Sequence, residues 1–164
     1  MKMIPLLATA TLLILFSGCS KNENTAVSGT APVHKHEHHP PHGGAPVELG
    51  EEEYHVELVR DATAGKLQAF VLDGELENFV RIAAPSLEVD VEVAGRPEKL
   101  MFMAVANNAT GEKLGDSSLF EAQADWLKTT PEFDGVLKEI IVRGKGYTNI
   151  SFNFPKGSDE GGKK

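Results

Sequence analysis

Ser86-Leu87-Glu88-Val89-Asp90-Val91-Glu92-Val93 is the stretch that decides the fold. Successive side chains of a strand point to opposite faces, so Leu87, Val89, Val91 and Val93 share one face and three carboxylates the other. A strand with one dry and one wet face belongs to an antiparallel sheet. Further along, Thr148, Ile150, Phe152 and Phe154 alternate with Tyr147, Asn149, Ser151 and Asn153 in the same way. Val136–Val142 precedes that run, and Arg143-Gly144-Lys145-Gly146 joins the two. Gly at the first central position predicts a two-residue type II′ hairpin turn.

Working outward, further strands are expected at Glu53–Arg60, Lys66–Asp73, Phe79–Ala83 and Lys99–Ala106. The last is apolar on both faces, which predicts a central strand. Ser118–Lys128 reads as a short strand followed by a helical turn around Asp125–Thr129. These elements predict an all-β domain over residues 53–155, a single antiparallel β-sandwich of immunoglobulin-like type with about seven strands.

Residues 19–52 show neither a period of 2 nor one of 3.6 and are rich in Ser, Asn, Thr, Gly, Pro, His and Glu. They read as a flexible linker with an r.m.s. reach of about 30–35 Å. Residues 156–164 read as a disordered polar tail. At the start, Lys2 is followed by the uncharged run Ile4–Phe16 and then Ser17-Gly18-Cys19. Thirteen residues rise only about 20 Å as a helix, too short for a span and right for a secretory leader over residues 1–18.

That leader, ending on the single cysteine of the chain, resembles the signal of a bacterial membrane lipoprotein. The resemblance implies that Cys19 carries the lipid (palmitate among its acyl groups) and becomes the first mature residue. It departs from the pattern at Phe16, where Leu is usual. Ser20, where Asp would imply inner-membrane retention, points to the outer membrane of a two-membrane bacterium, with the domain facing the periplasm.

Removing residues 1–18 removes one positive charge, Lys2, and takes the formal charge from −8 to −9. An acidic chain is a poor partner for nucleic acid, so none is expected. With Cys19 used as the anchor, no disulfide can form within the chain, and stability must come from packing.

Five of the six histidines, His34, His36, His38, His39 and His42, fall within nine residues, with Glu37 among them. Neutral imidazole is a ligand for Cu²⁺, Zn²⁺ and Ni²⁺, and its reference pKa near 6.5 leaves most of it neutral at pH 7. In an extended segment, spacings of two and four residues let several rings converge on one ion. The alternative is a polar spacer with solvated histidines, since the spacing matches no closed four-ligand site. His55 lies on a predicted strand with Glu53 and Glu57 on the same face, and is a further metal candidate beside an exposed-face alternative. His42-Gly43-Gly44, Tyr54-His55-Val56-Glu57-Leu58-Val59, Gly65-Lys66-Leu67 and Val71-Leu72-Asp73-Gly74 together resemble a short module found beside periplasmic adaptors of heavy-metal efflux systems. That resemblance implies metal handling in the envelope, without implying pumping.

Other residues have bland readings. Glu88, Asp90 and Glu92 lack a loop to wrap them around calcium and read as a solvated face. Met101 and Met103 are potential copper(I) ligands, but on so apolar a strand they read as core filler. Trp126, Phe120 and Phe133 read as packing over one end of the sandwich, with an aromatic binding patch as the alternative. No nucleophile elbow, phosphate-cradling glycine loop or His-Glu-x-x-His occurs, and no enzyme is expected. The expected function is a lipid-anchored envelope protein whose histidine-rich linker binds divalent copper, zinc or nickel. The competing expectation is an interaction module whose sandwich binds an envelope protein or cell-wall partner.

Overall fold

The structure is a computed structural model in which residues 39–158 are described. Eight strands follow one another: β1 Ala45–Leu49, β2 Tyr54–Asp61, β3 Lys66–Asp73, β4 Ser86–Val93, β5 Arg96–Ala104, β6 Leu119–Gln123, β7 Phe133–Val142 and β8 Lys145–Phe154. A single 3-10 turn, Asp125–Lys128, sits between β6 and β7. All strand pairs are antiparallel, as the alternation around Val89 predicts, and they form one sheet in the order β1-β2-β3-β6-β5-β4-β7-β8. The sheet curls nearly into a barrel, so its inward faces pack on each other as sandwich layers do. The segments 74–85 and 124–132 are the two connections that pass over intervening strands.

The alternating apolar positions supply the core. Leu67, Val71, Leu100, Phe102, Phe120 and Ile140 are fully enclosed. Burying each such side chain contributes roughly 1.5–3 kcal/mol. The 3-10 turn adds Leu127 to this core, and Trp126 packs edge-on to Phe133 with ring centroids 5.1 Å apart. Phe120 itself is interior.

Several expectations need correction. The folded part begins within the expected linker: Ala45, Val47 and Leu49 of β1 are buried, pairing with Leu58, Val56 and Tyr54. It also extends into the expected tail. The Ser158 N–H donates to the Pro46 carbonyl at 2.9 Å, and the Glu48 N–H donates to Ser158 Oγ at 2.6 Å, so the chain end seals β1 towards β8. Gly157 makes this possible: its φ is +91°, and a Cβ there would lie 2.1 Å from the Pro46 oxygen. Phe79–Ala83 forms only isolated bridges, Leu72 to Phe79 and Ile82 to Ser117.

The β7–β8 turn has Arg143 and Gly144 at its centre, with φ of +49° and +85°. Positive φ at both central residues makes it type I′ instead of type II′. The inward set also changes parity in this hairpin. Phe133, Gly135 and Leu137 point in, then Ile140 and Val142; on β8, Phe152 and Phe154 point in, then Tyr147 in place of Thr148. Asn149, with φ +53°, sits at the change, and asparagine tolerates that left-handed conformation better than most residues. Finally, β5 is interior in strand order but dry on one face only: Leu100, Phe102 and Ala104 are buried while Met101 and Met103 are exposed.

Candidate functional site

The metal candidates divide at residue 39. Cys19, His34, His36, Glu37 and His38 lie outside the described residues; His39, His42 and His55 lie within them. Of these, His42 has the most specific surroundings. The segment 39–44 turns back over the outward face of β2, where Glu57 is completely enclosed. Glu57 Oε1 accepts the His42 N–H at 2.8 Å and the Gly44 N–H at 2.9 Å, while Oε2 meets His42 Nδ1 at 2.8 Å. A buried carboxylate needs such donors, because removing its hydration unpaired would cost several kcal/mol.

Backbone spacing allows this clasp. A Cβ on Gly44 would lie 2.4 Å from the Leu58 carbonyl oxygen and 2.9 Å from Glu57 Cγ, so only glycine lets the chain come this close. The His42 ring then stacks on Phe70 of β3, with centroids 4.0 Å apart and 16° between planes. Phe79 flanks both rings, its centroid 5.8 Å from that of His42 and 6.1 Å from that of Phe70. Phe70 occupies a wet-face position of β3, in line with Lys66 and Gln68, and is the cross-strand partner of Glu57.

The chemistry follows from the acceptor. A carboxylate can only accept, so the partners assign the hydrogen to Nδ1 and leave Nε2 as the basic nitrogen of the ring. Metal-bound histidines are usually oriented in this way, donating the second nitrogen to a carboxylate. His42 keeps 37% of its side chain exposed, so the ring is held and also reachable.

His55 and Glu57 share one face of β2, while Glu53 lies in the turn before it, and the three do not gather around a common point. His55 is buried, with Nδ1 3.4 Å from the Asp73 carbonyl oxygen. Glu53 accepts from Lys145 Nζ and from the Tyr147 hydroxyl. The lysine contact, followed by the tyrosine contact, holds the Glu53 carboxyl below its ordinary range. Burial, reinforced by Glu53, pushes the Tyr147 hydroxyl up to about 12. Among the described residues, no group of three or more His, Cys, Asp or Glu side chains is arranged to hold a metal ion. Glu88 and Asp90 are engaged by Lys99, and Asp90 by Lys138 as well, in keeping with a solvated face.

Sequence reasoning missed Glu57 as an enclosed acceptor and Phe70 as the platform for the imidazole. The available signal was an aromatic at a position where the β3 alternation calls for a polar side chain. No family model, curated protein or solved structure matches this chain.

Proposed function

We propose that this is a lipid-anchored envelope protein that binds a divalent transition metal through its histidine-rich segment, buffering the ion or presenting it to other envelope components. Cys19 is the anchor in this reading. His34, His36, His38, His39 and His42 are the ligands, and Glu37 adds an oxygen. The observation that carries it is the fixed His42 imidazole, with Nδ1 taken by the enclosed Glu57. One pre-oriented ligand at the end of a histidine run lowers the ordering cost that a wholly flexible site would meet. The donor set of imidazoles suits Cu²⁺, Zn²⁺ and Ni²⁺ over hard cations.

Calorimetric titration of the protein with Cu²⁺, Zn²⁺ and Ni²⁺ tests this beside a variant with His34, His36, His38 and His39 replaced by Ser. The expected result is loss of most of the binding heat in the variant. Equal heats from both proteins would end the proposal. A Glu57→Gln variant, which leaves the histidines in place, is expected to bind about 10-fold more weakly, the typical contribution of the outer partner of a ligating histidine.

A further inference from the structure

The described residues contain two sulfur atoms, those of Met101 and Met103, and both are out in solvent, 46% and 54% exposed. Their strand lies between β4 and β6, and the outward face around them is otherwise polar: Glu88, Lys99, Glu121 and Gln123. Exposed thioethers gain nothing from the core. They stand two residues apart on one face, about 6.8 Å between Cα atoms. Each side chain has three rotatable bonds, enough for both sulfurs to swing onto one ion between them.

The ladder beside them is short. β5 pairs with β4 from Arg96 to Met103, but with β6 only at Met103 and Ala104. Beyond Met103 a groove of about 350 Å³ opens, lined by Met101, Met103, Lys66, Glu121 and Gln123. An ion can reach the sulfurs there without any backbone movement. The hard donors nearby are already engaged. Glu121 accepts from Lys66 Nζ at 2.9 Å and from Gln68 Nε2 at 2.8 Å, and Glu88 is paired with Lys99. What the groove offers is soft sulfur without a free carboxylate.

We propose that Met101 and Met103 form a binding site for a soft monovalent metal ion, Cu(I) in chemistry. Thioether ligands select Cu(I) over the divalent ions that imidazole and carboxylate favour. This site does not rest on the histidine segment, which lies elsewhere in the chain and suits divalent ions. His42, the described end of that segment, nonetheless lies over the same face of the sheet. Phe70, the platform under His42, pairs with Leu119, while Gln68 pairs with Glu121 and Glu121 with Met103. Two strand spacings and two residues along the strand separate Phe70 from Met103, on the order of 12 Å.

Ag(I), which shares the soft preference and does not change oxidation state, is the probe. The full chain carries Cys19→Ser and Ser at positions 34, 36, 38 and 39, so that thiol and histidine segment cannot compete; His42 stays, because it packs on Phe70. Methyl resonances of ¹³C-labelled methionines report the contact residue by residue. The expected result is that the Met101 and Met103 methyls shift together and saturate at one Ag(I), with no response to Zn²⁺. Replacing both by Leu is expected to lower Ag(I) affinity at least tenfold with the melting temperature unchanged. Unshifted Met101 and Met103 methyls, or equal affinity in the Leu variant, would overturn the proposal. A loss of histidine-dependent Zn²⁺ binding elsewhere would leave this result untouched, so the two readings fail separately.

Discussion

The outward face of the sheet is finished differently over β2–β3 and over β5–β6. Over β2–β3 a chain segment folds down, encloses Glu57 and fixes an imidazole against Phe70. Over β5–β6 no segment among the described residues folds down, and two methionines face water beside a ladder of two residue pairs. The covered region uses its polar atoms on one another apart from Nε2 of His42, and the open region leaves its sulfurs exposed. Enclosure therefore marks the residues that hold shape, and exposure marks those available for a ligand.

The comparison breaks most visibly at the covered end. Glu57→Ala leaves two backbone N–H groups and an imidazole N–H without their acceptor, and we expect a loss of about 3 kcal/mol in urea unfolding. Stability unchanged within 0.5 kcal/mol would mean the clasp is not formed in solution. Gly157→Ala tests the seal between the chain end and β1. The clash with the Pro46 oxygen, added to a positive φ, is expected to cost about 2 kcal/mol in the same measurement.

A second enclosed carboxylate adds a pH dependence. Glu112 accepts from Ser118 Oγ and N–H and from Thr110 Oγ1. Burial pushes its carboxyl up, but those bonds and Arg81 outweigh it, so the net direction is down. A group lowered in the folded state contributes stability above its unfolded value, about 4.5, and loses it as pH falls through the folded value. Glu112→Gln is therefore expected to lower the melting temperature at pH 7, by the equivalent of roughly 1–2 kcal/mol, and to shrink that gap below pH 4. A gap independent of pH would remove the carboxylate from the account. The smallest effect belongs to the open end: Met101→Leu with Met103→Leu should change stability by no more than about 0.5 kcal/mol, since exposed positions rarely matter more.

How much of this was legible depended on how far local pattern agreed with tertiary surroundings. Lys66–Asp73 and Ser86–Val93 match β3 and β4 residue for residue, because their alternation reflects one buried face. The strand-then-turn reading of Ser118–Lys128 held for the same reason. Ala45, Val47 and Leu49 also alternate, but only three apolar residues stand out among prolines and glycines, and pairing with β2 supplies what their own pattern lacks. The parity change at Asn149 is invisible to any strict period of 2. Met101 and Met103 misled because apolar character on both faces implies two dry faces only where something covers each of them. Glu57 reads as an ordinary wet-face glutamate until a segment fifteen residues upstream is seen to cap it.

If the strands are thought of as the staves of a cask, seven joints hold them, and the one between β5 and β6 has the fewest pegs. Local opening follows the least-supported joint. Warming or pulling should part the cask there first, with the amide hydrogens of Met101 and Gln123 trading for deuterium well before those of Val56 or Leu137.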